Sequence, residues 1–106
     1  MEQKTEQKII ALMHMARKAG RLKLGANAAE RAVTSGRATM LILAEDVGGS
    51  VKSKLMHRIK EMSVEVVTMS TKSALGRAFN ISDTGIIAIE DKNIVNGIKS
   101  CIGKKH

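Results

Sequence analysis

The chain has 106 residues, a length that predicts one domain, spanning residues 1–106, with a core of its own. It has one cysteine, Cys101, which excludes an intramolecular disulfide and a cysteine-based zinc site. Its 18 Lys and Arg against 10 Asp and Glu give a net charge of +8, and residues 1–38 hold eight basic and three acidic side chains. This concentration of positive charge favours a nucleic-acid partner.

Two further features of the composition restrict the location and the mode of binding. Residues 1–8 are polar, and no apolar run approaches the roughly 20 residues that cross a bilayer. We therefore expect a cytoplasmic protein without a signal peptide or a membrane partner. The sequence has no Trp or Tyr and one Phe, Phe79, whereas modules that read single strands stack bases on several aromatic side chains. Recognition of a nucleic acid must then use shape, phosphates and hydrogen bonds.

Apolar periodicity predicts five helices that alternate with four strands. The helices cover about residues 4–19, 26–35, 50–62, 71–79 and 92–102, and the strands cover residues 22–24, 40–44, 64–69 and 85–89. The predicted apolar stripe of the third helix is Val51, Leu55, Ile59 and Met62. Residues 104–106 are expected to form a frayed tail. This alternation predicts an α/β fold in which helices cover both faces of a central sheet.

The most informative segment is residues 23–31, the first corner, where a strand turns through Gly25 directly into a helix. The first backbone N–H groups of a helix lack intrahelical partners and attract anions. Small alanines at positions 26, 28 and 29 leave room for a ligand, and Asn27 adds an amide that donates and accepts hydrogen bonds. Lys23 and Arg31 supply phosphate contacts. The alternative is that Asn27 only caps the helix.

A second turn from strand to helix, at residues 68–77, has similar chemistry, and we call it the second corner. Ser70 or Thr71 is expected to cap the helix, while Lys72 and Arg77 add positive charge. Taken alone, this segment favours ordinary capping over phosphate binding. In an alternating α/β fold, however, such corners tend to meet at one end of the sheet, where ligands usually bind.

The sequence gives little support to an enzyme. It has neither the G-x-x-x-x-G-K-[ST] nor the G-x-G-x-x-G nucleotide motif, and His14, His57 and His106 lack partners at metal-ligand spacing. Glu45 and Asp46 follow a strand, and we expect them to end it and to accept amides of the next helix start. We therefore predict a protein with no catalytic residues, metal or cofactor.

Three segments occur in the order and spacing of a known family. They are Gly25-Ala26-Asn27, the Leu-Ala-Glu-Asp-Val stretch at residues 43–47, and the Lys-Ser-Ala-Leu-Gly-Arg-Ala stretch at residues 72–78. Together they make most of the chain resemble the kink-turn-binding ribosomal protein superfamily of the L7Ae type, in particular its small bacterial members. The resemblance implies a three-layer α/β/α sandwich with a mixed four-stranded sheet. It also implies binding to kink-turns, sharply bent RNA helices whose tandem G·A pairs widen the groove.

The resemblance assigns roles to residues of the first corner. Gly25, Ala26 and Asn27 correspond to the part of the family that enters the widened groove and touches the G·A pairs. Arg31 corresponds to a basic residue four places after the asparagine. Ala28 departs from the family, which often has an acid there that reads a guanine edge.

The resemblance also assigns roles in the second corner. Met69, Ser70 and Thr71 correspond to a loop that covers a flipped-out bulge nucleotide, and Lys72 lies near the RNA backbone. Ser70 stands where the family often has a proline.

The sequence thus predicts a monomeric, ribosome-associated RNA-binding protein, part of a ribonucleoprotein, that captures kink-turn or similarly bent RNA. The major groove of ordinary A-form RNA is too narrow for side chains, so a distorted site suits a chain with few aromatics. The alternative is a protein–protein adaptor or assembly module on the same fold. A third hypothesis, a small enzyme or the detached RNA-recognition part of an RNA-modifying enzyme, has no supporting group of residues.

Overall fold

Five helices and four strands alternate along the chain in the computed structural model, which describes residues 1–103. They are α1 Gln3–Lys18, β1 Leu22–Leu24, α2 Ala26–Thr34, β2 Met40–Leu43, α3 Gly49–Ile59, β3 Glu65–Thr68, α4 Lys72–Ala78, β4 Ile86–Ile89 and α5 Lys92–Gly103. Every predicted element is present, with its ends shifted by at most three residues. The predicted tail at residues 104–106 lies outside the described residues. No helix among those described is long and apolar enough to span a bilayer.

The four strands form one mixed sheet in the order β1-β4-β2-β3, with β4 antiparallel to both its neighbours and β3 parallel to β2. Leu24, the last residue of β1, pairs with Ile87. Leu43, the last residue of β2, pairs with Ile86 on one side and Thr68 on the other. The last residues of β1, β2 and β3 therefore lie at the same end of the sheet as the first residues of β4. The prediction that both corners lie at one end of the sheet is confirmed.

Helices cover both faces of this sheet. On one face α1, α4 and α5 bury side chains that include Met13, Phe79 and Ile98. On the other face α2 and α3 pack through small and branched side chains such as Val33 and Leu55. All residues of β2 and β4 are buried, and their side chains alternate between the two cores. The fold is a three-layer α/β/α sandwich with a mixed four-stranded sheet, as expected.

The apolar stripe predicted for α3 is only partly buried. Leu55 and Ile59 are 7% and 5% exposed, but Val51 and Met62 are 47% and 42% exposed. Met62 lies beyond the end of the helix, and Val51 lies in its first turn at the rim of a cavity. The contact between α3 and the sheet is therefore narrow, and most of the circumference of this helix faces solvent.

Candidate nucleic-acid interface

The first corner depends on the backbone of Gly25. Its φ of 96° is a value that L residues rarely adopt, so glycine is needed here. The Gly25 N–H donates to the carbonyl of Ile86 in β4, and the Gly25 carbonyl accepts from the N–H of Ala29, each at 2.9 Å. One residue thus ends the pairing of β1 and begins α2.

The start of α2 carries no side-chain cap among the described residues. Gly25 occupies the N-cap position and has no side chain that accepts the N–H groups of the first turn. Asn27 lies within that turn, is exposed, and makes no capping hydrogen bond with its side chain. The N–H groups of the first turn and the positive end of the helix dipole are therefore accessible to an anion.

The basic residues predicted to flank Asn27 differ in position. Arg31 lies one helical turn after Asn27 on the same outward face of α2, and both are exposed. Lys23 is half-buried and directs its ammonium to the carbonyl of Gly20 at 3.4 Å, at the other end of β1 from Gly25. The structure therefore brings Arg31, but not the Lys23 ammonium, alongside Asn27.

The second corner is capped in the ordinary way. The Thr71 hydroxyl accepts a hydrogen bond from the Ala74 N–H at 3.2 Å, which identifies Thr71 rather than Ser70 as the cap of α4. The Lys72 N–H donates to Oδ1 of Asp46 at 2.8 Å. These groups of the first turn are already paired within the protein. We expected Asp46 to accept an amide of α3, the next helix in the sequence. It accepts an amide of α4 instead.

Ser70 has an unexpected backbone conformation, and the Met69 side chain is unexpectedly buried. Ser70 has a φ of 64°, whereas the proline ring fixes φ near −65°, so this backbone excludes a proline at position 70. Met69 is 0% exposed and packs in the core beneath α4. The Met69 side chain continues the inward alternation of β3, so only the backbone of Met69 is available to the loop in which the resemblance places it. Ser70 is half-buried and Thr71 exposed, so these two residues form the accessible part of that loop.

A cavity of about 290 Å³ lies between the two corners. Its lining consists of Gly25, Ala26, Val47, Gly48, Val51, Lys72 and residues 83–86. Glycine at position 85 permits this close assembly, because a Cβ there would lie 2.7 Å from Cγ2 of Val47 and 3.3 Å from Cγ of Lys72. The cavity therefore joins the first corner to the loop between β2 and α3 and to the start of α4.

Sequence reasoning missed most of the cavity wall. Val47 and Val51 come from the segment after β2, and Thr84, Gly85 and Ile86 come from the start of β4. Thr84 is 6% exposed, and its hydroxyl has no hydrogen-bond partner among residues 1–103. A glycine directly before a buried strand, such as Gly85, can mark a point where another segment approaches closely. Which segment approaches Gly85 follows only from the position of β4 in the sheet.

Other features of the described residues lie away from the two corners. No three His, Cys, Asp or Glu side chains of residues 1–103 are grouped so as to hold a metal. His14 packs with its ring centroid 4.6 Å from that of Phe79, and Arg17 donates to the Phe79 carbonyl at 2.7 Å. A larger cavity of about 570 Å³, between α1 and the end of α5, contains no residue of either corner.

Comparison with known proteins identifies a family and similar folds. The model of the ribosomal protein L7Ae/L30e/S12e/Gadd45 family matches residues 7–99, which include both corners and the cavity. A protein with unknown function from Bacillus halodurans C has a similar structure, with a TM-score of 0.82 and 26% identity over 92% of this chain and 98% of that chain. The Giardia lamblia 15.5kD RNA binding protein has a TM-score of 0.78 and 26% identity over 98% of this chain and 89% of that chain.

Proposed function

This chain belongs to the ribosomal protein L7Ae/L30e/S12e/Gadd45 family, and we propose that it is a non-enzymatic RNA-binding protein that recognises kink-turn or similarly bent RNA. The observation that carries the proposal is the open start of α2, where exposed Asn27 adjoins uncapped backbone N–H groups next to a cavity. The similar RNA binding protein of Giardia lamblia supports RNA as the ligand.

The shape of the first corner suits a distorted groove better than a regular one. The helix begins at Ala26 without a bulky side chain, so its first turn can approach base edges closely. An ordinary A-form major groove does not admit side chains, whereas a groove widened by G·A pairs does. Asn27 then hydrogen-bonds to base edges with both its donor and its acceptor, while Arg31 binds phosphate.

The cavity between the corners is the proposed site for an unpaired bulge base. Val47, Val51 and Ile86 provide apolar walls for the faces of a base, and the Lys72 side chain lies at the same wall, where its ammonium can reach the adjoining phosphate. A single base extruded from the stack fits such a pocket, and no exposed aromatic is required for it. Ser70 and Thr71 form the accessible loop beside Lys72.

Ala28 affects which RNA is preferred. It is half-buried beside Asn27 and has no hydrogen-bonding group on its side chain, so Asn27 carries the reading of the base edges at this corner. We therefore propose that the protein selects the bent shape more strongly than a particular pair of bases. We further propose that it acts as a monomer on structured cytoplasmic RNA, with ribosomal RNA as the first candidate.

The test is a gel-shift titration with a kink-turn RNA and with a copy in which the G·A pairs are replaced by Watson–Crick pairs. We expect the kink-turn RNA to bind at least about tenfold more tightly, the scale on which a bidentate hydrogen-bonded pair discriminates between bases. Because the protein would bind the bent form preferentially, a fluorescently labelled kink-turn should also bend as protein is added. Equal affinity for the two RNAs would contradict selective recognition.

A further inference from the structure

The helix α3 is unusually rich in positive charge. Residues 47–60 contain Lys52, Lys54, Arg58 and Lys60 and no Asp or Glu. All four cations are exposed. Within residues 1–103, Arg58 forms an ion pair, with Glu30 of α2 at 3.3 Å, and none of the three lysines does. Lys52 and Lys54 lie on α3 and Lys60 directly follows its last residue, and the three are spread around the solvent-exposed circumference of the helix rather than aligned along one line. We call these three exposed lysines together the basic face of α3.

This face is continuous with the proposed RNA site. Gly48 and Val51, just before and within the first turn of α3, line the cavity between the corners. The ion pair between Arg58 and Glu30 joins α3 to α2, whose outward face carries Asn27 and Arg31. From the cavity the 11 residues of α3 extend about 16 Å across the molecule. An RNA held at the first corner would thus have a basic helix next to it.

We propose that the basic face of α3 binds the phosphate backbone of the RNA outside the bent motif. This inference rests on the proposed function, and it adds a second contact that does not read sequence. Lysine ammonium groups on flexible stems bind phosphates as mobile point charges, without the fixed geometry that base reading requires. Duplex nucleic acid presents charges so closely spaced that a helix about 16 Å long faces several of them.

The same chemistry argues against a protein as the occupant of this face. Lysine is depleted in protein–protein interfaces, where burial of its ammonium is unfavourable. Leu55 and Ile59 are turned to the sheet, while Val51 and Met56 are exposed, so α3 presents a mixed surface in which apolar side chains alternate with cations and no Asp or Glu is present. Charge complementarity therefore favours RNA over an apolar partner.

The experiment compares two RNAs that share one kink-turn and differ in stem length. One has stems that end close to the motif, and the other has stems extended by a full helical turn. Three proteins are titrated over a range of salt: the wild type, the variant Lys52→Gln/Lys54→Gln/Lys60→Gln, and the control Lys8→Gln/Lys18→Gln/Lys92→Gln. The control removes the same charge from exposed positions on α1 and α5, in the opposite layer. Circular dichroism verifies that all three are folded.

We expect the wild type and the control to bind the long-stem RNA about tenfold more tightly than the short-stem RNA, and the α3 variant to bind both equally. The salt slope of the α3 variant on long-stem RNA should be lower by about one for each phosphate that a lysine no longer neutralises. An α3 variant that keeps the full gain from the longer stem would overturn the inference, and an acidic protein would then be the candidate occupant. Equally weakened binding by the control would also overturn it, since net charge alone would explain the effect.

The two proposals fail in different ways. If the protein does not distinguish the kink-turn from its Watson–Crick copy, the proposed function fails. The contribution of the basic face is then measured as affinity for the straight duplex, to which the α3 variant should still bind more weakly than the control. If selectivity is present but the α3 variant and control behave alike, the inference about α3 fails and the proposed function stands.

Discussion

Oδ1 of Asp46 accepts a hydrogen bond from the backbone N–H of Lys72 at 2.8 Å, across 26 positions in the sequence. The neighbouring Glu45 N–H donates to the carbonyl of Ser70 at 2.8 Å. These two bonds join the loop after β2 to the start of α4. Because Val47 and Lys72 both line the cavity, the bonds hold two parts of its wall together.

The first prediction concerns this connection. Asp46→Ala removes the acceptor for the Lys72 N–H and should lower the free energy of unfolding by about 1 kcal/mol, the usual scale for removal of a helix cap. Asp46→Asn retains an acceptor and should cost less. Urea denaturation measures both. Glu45→Ala is the control, because none of the described hydrogen bonds uses the Glu45 carboxylate. An equal destabilisation in the control would show that the bond to Lys72 is unimportant.

The second prediction separates reading from charge in the first corner. Asn27→Ala should weaken binding to the kink-turn RNA by about tenfold or more and leave its Watson–Crick copy nearly unaffected. Arg31→Gln should weaken both RNAs and lower the salt slope by about one. Since Asn27 does not cap α2, its replacement should not lower the unfolding midpoint. Parallel weakening on the two RNAs after Asn27→Ala would contradict a role in base recognition.

The third prediction tests the cavity. Val51→Gln makes one apolar wall of the cavity polar. It should weaken binding of an intact kink-turn RNA, and it should have a smaller effect on the same RNA when the bulge nucleotide lacks its base. The stability change should stay within about 0.5 kcal/mol, because the side chain is 47% exposed. Met56→Gln is the matched control, an apolar residue of the same helix that is 39% exposed and lies outside the cavity. Binding data in which the two variants agree would exclude base insertion at Val51.

The fourth prediction concerns packing behind the second corner. A Cβ on Gly76 would lie 2.6 Å from the backbone oxygen of Ser82, a contact that requires the backbone to move. Gly76→Ala should therefore destabilise the protein by roughly 1–3 kcal/mol. Gly49→Ala should be neutral or slightly stabilising, because no atom lies within 4 Å of its Cβ position and alanine favours the helix. Thermal denaturation distinguishes them, and equal midpoints would contradict the contact with Ser82.

Local chemistry is sufficient to predict much of the fold and half of the site. The strand and helix periods identify all nine elements, and Gly25 between an apolar strand and an alanine-rich helix identifies the first corner. The cavity is not predictable in the same way. Its wall contains residues 83–86, which reach Gly25 only because β4 pairs antiparallel with β1, and no local pattern specifies that pairing.

Two residues differ in burial from what the sequence suggests. The resemblance places Met69 in a loop that covers a nucleotide, yet its side chain is fully buried; Val51 belongs to the predicted apolar stripe of α3, yet it is largely exposed. Burial at the end of a strand or in the first turn of a helix depends on which layer lies opposite. That relation is set by the tertiary packing of α3 and α4, and not by the period of either segment.

The central position of β4 has a consequence for the order of folding. The N–H of Gly25 is held by the carbonyl of Ile86, far along the chain, and β4 separates β1 from β2 in the sheet. During synthesis, residues 1–85 therefore emerge without the strand that completes the first corner. Closing such a long loop is slow compared with local pairing. A nascent chain thus completes the first corner only after β4 has been made, so under the proposed function an unfinished chain would lack the edge that binds RNA.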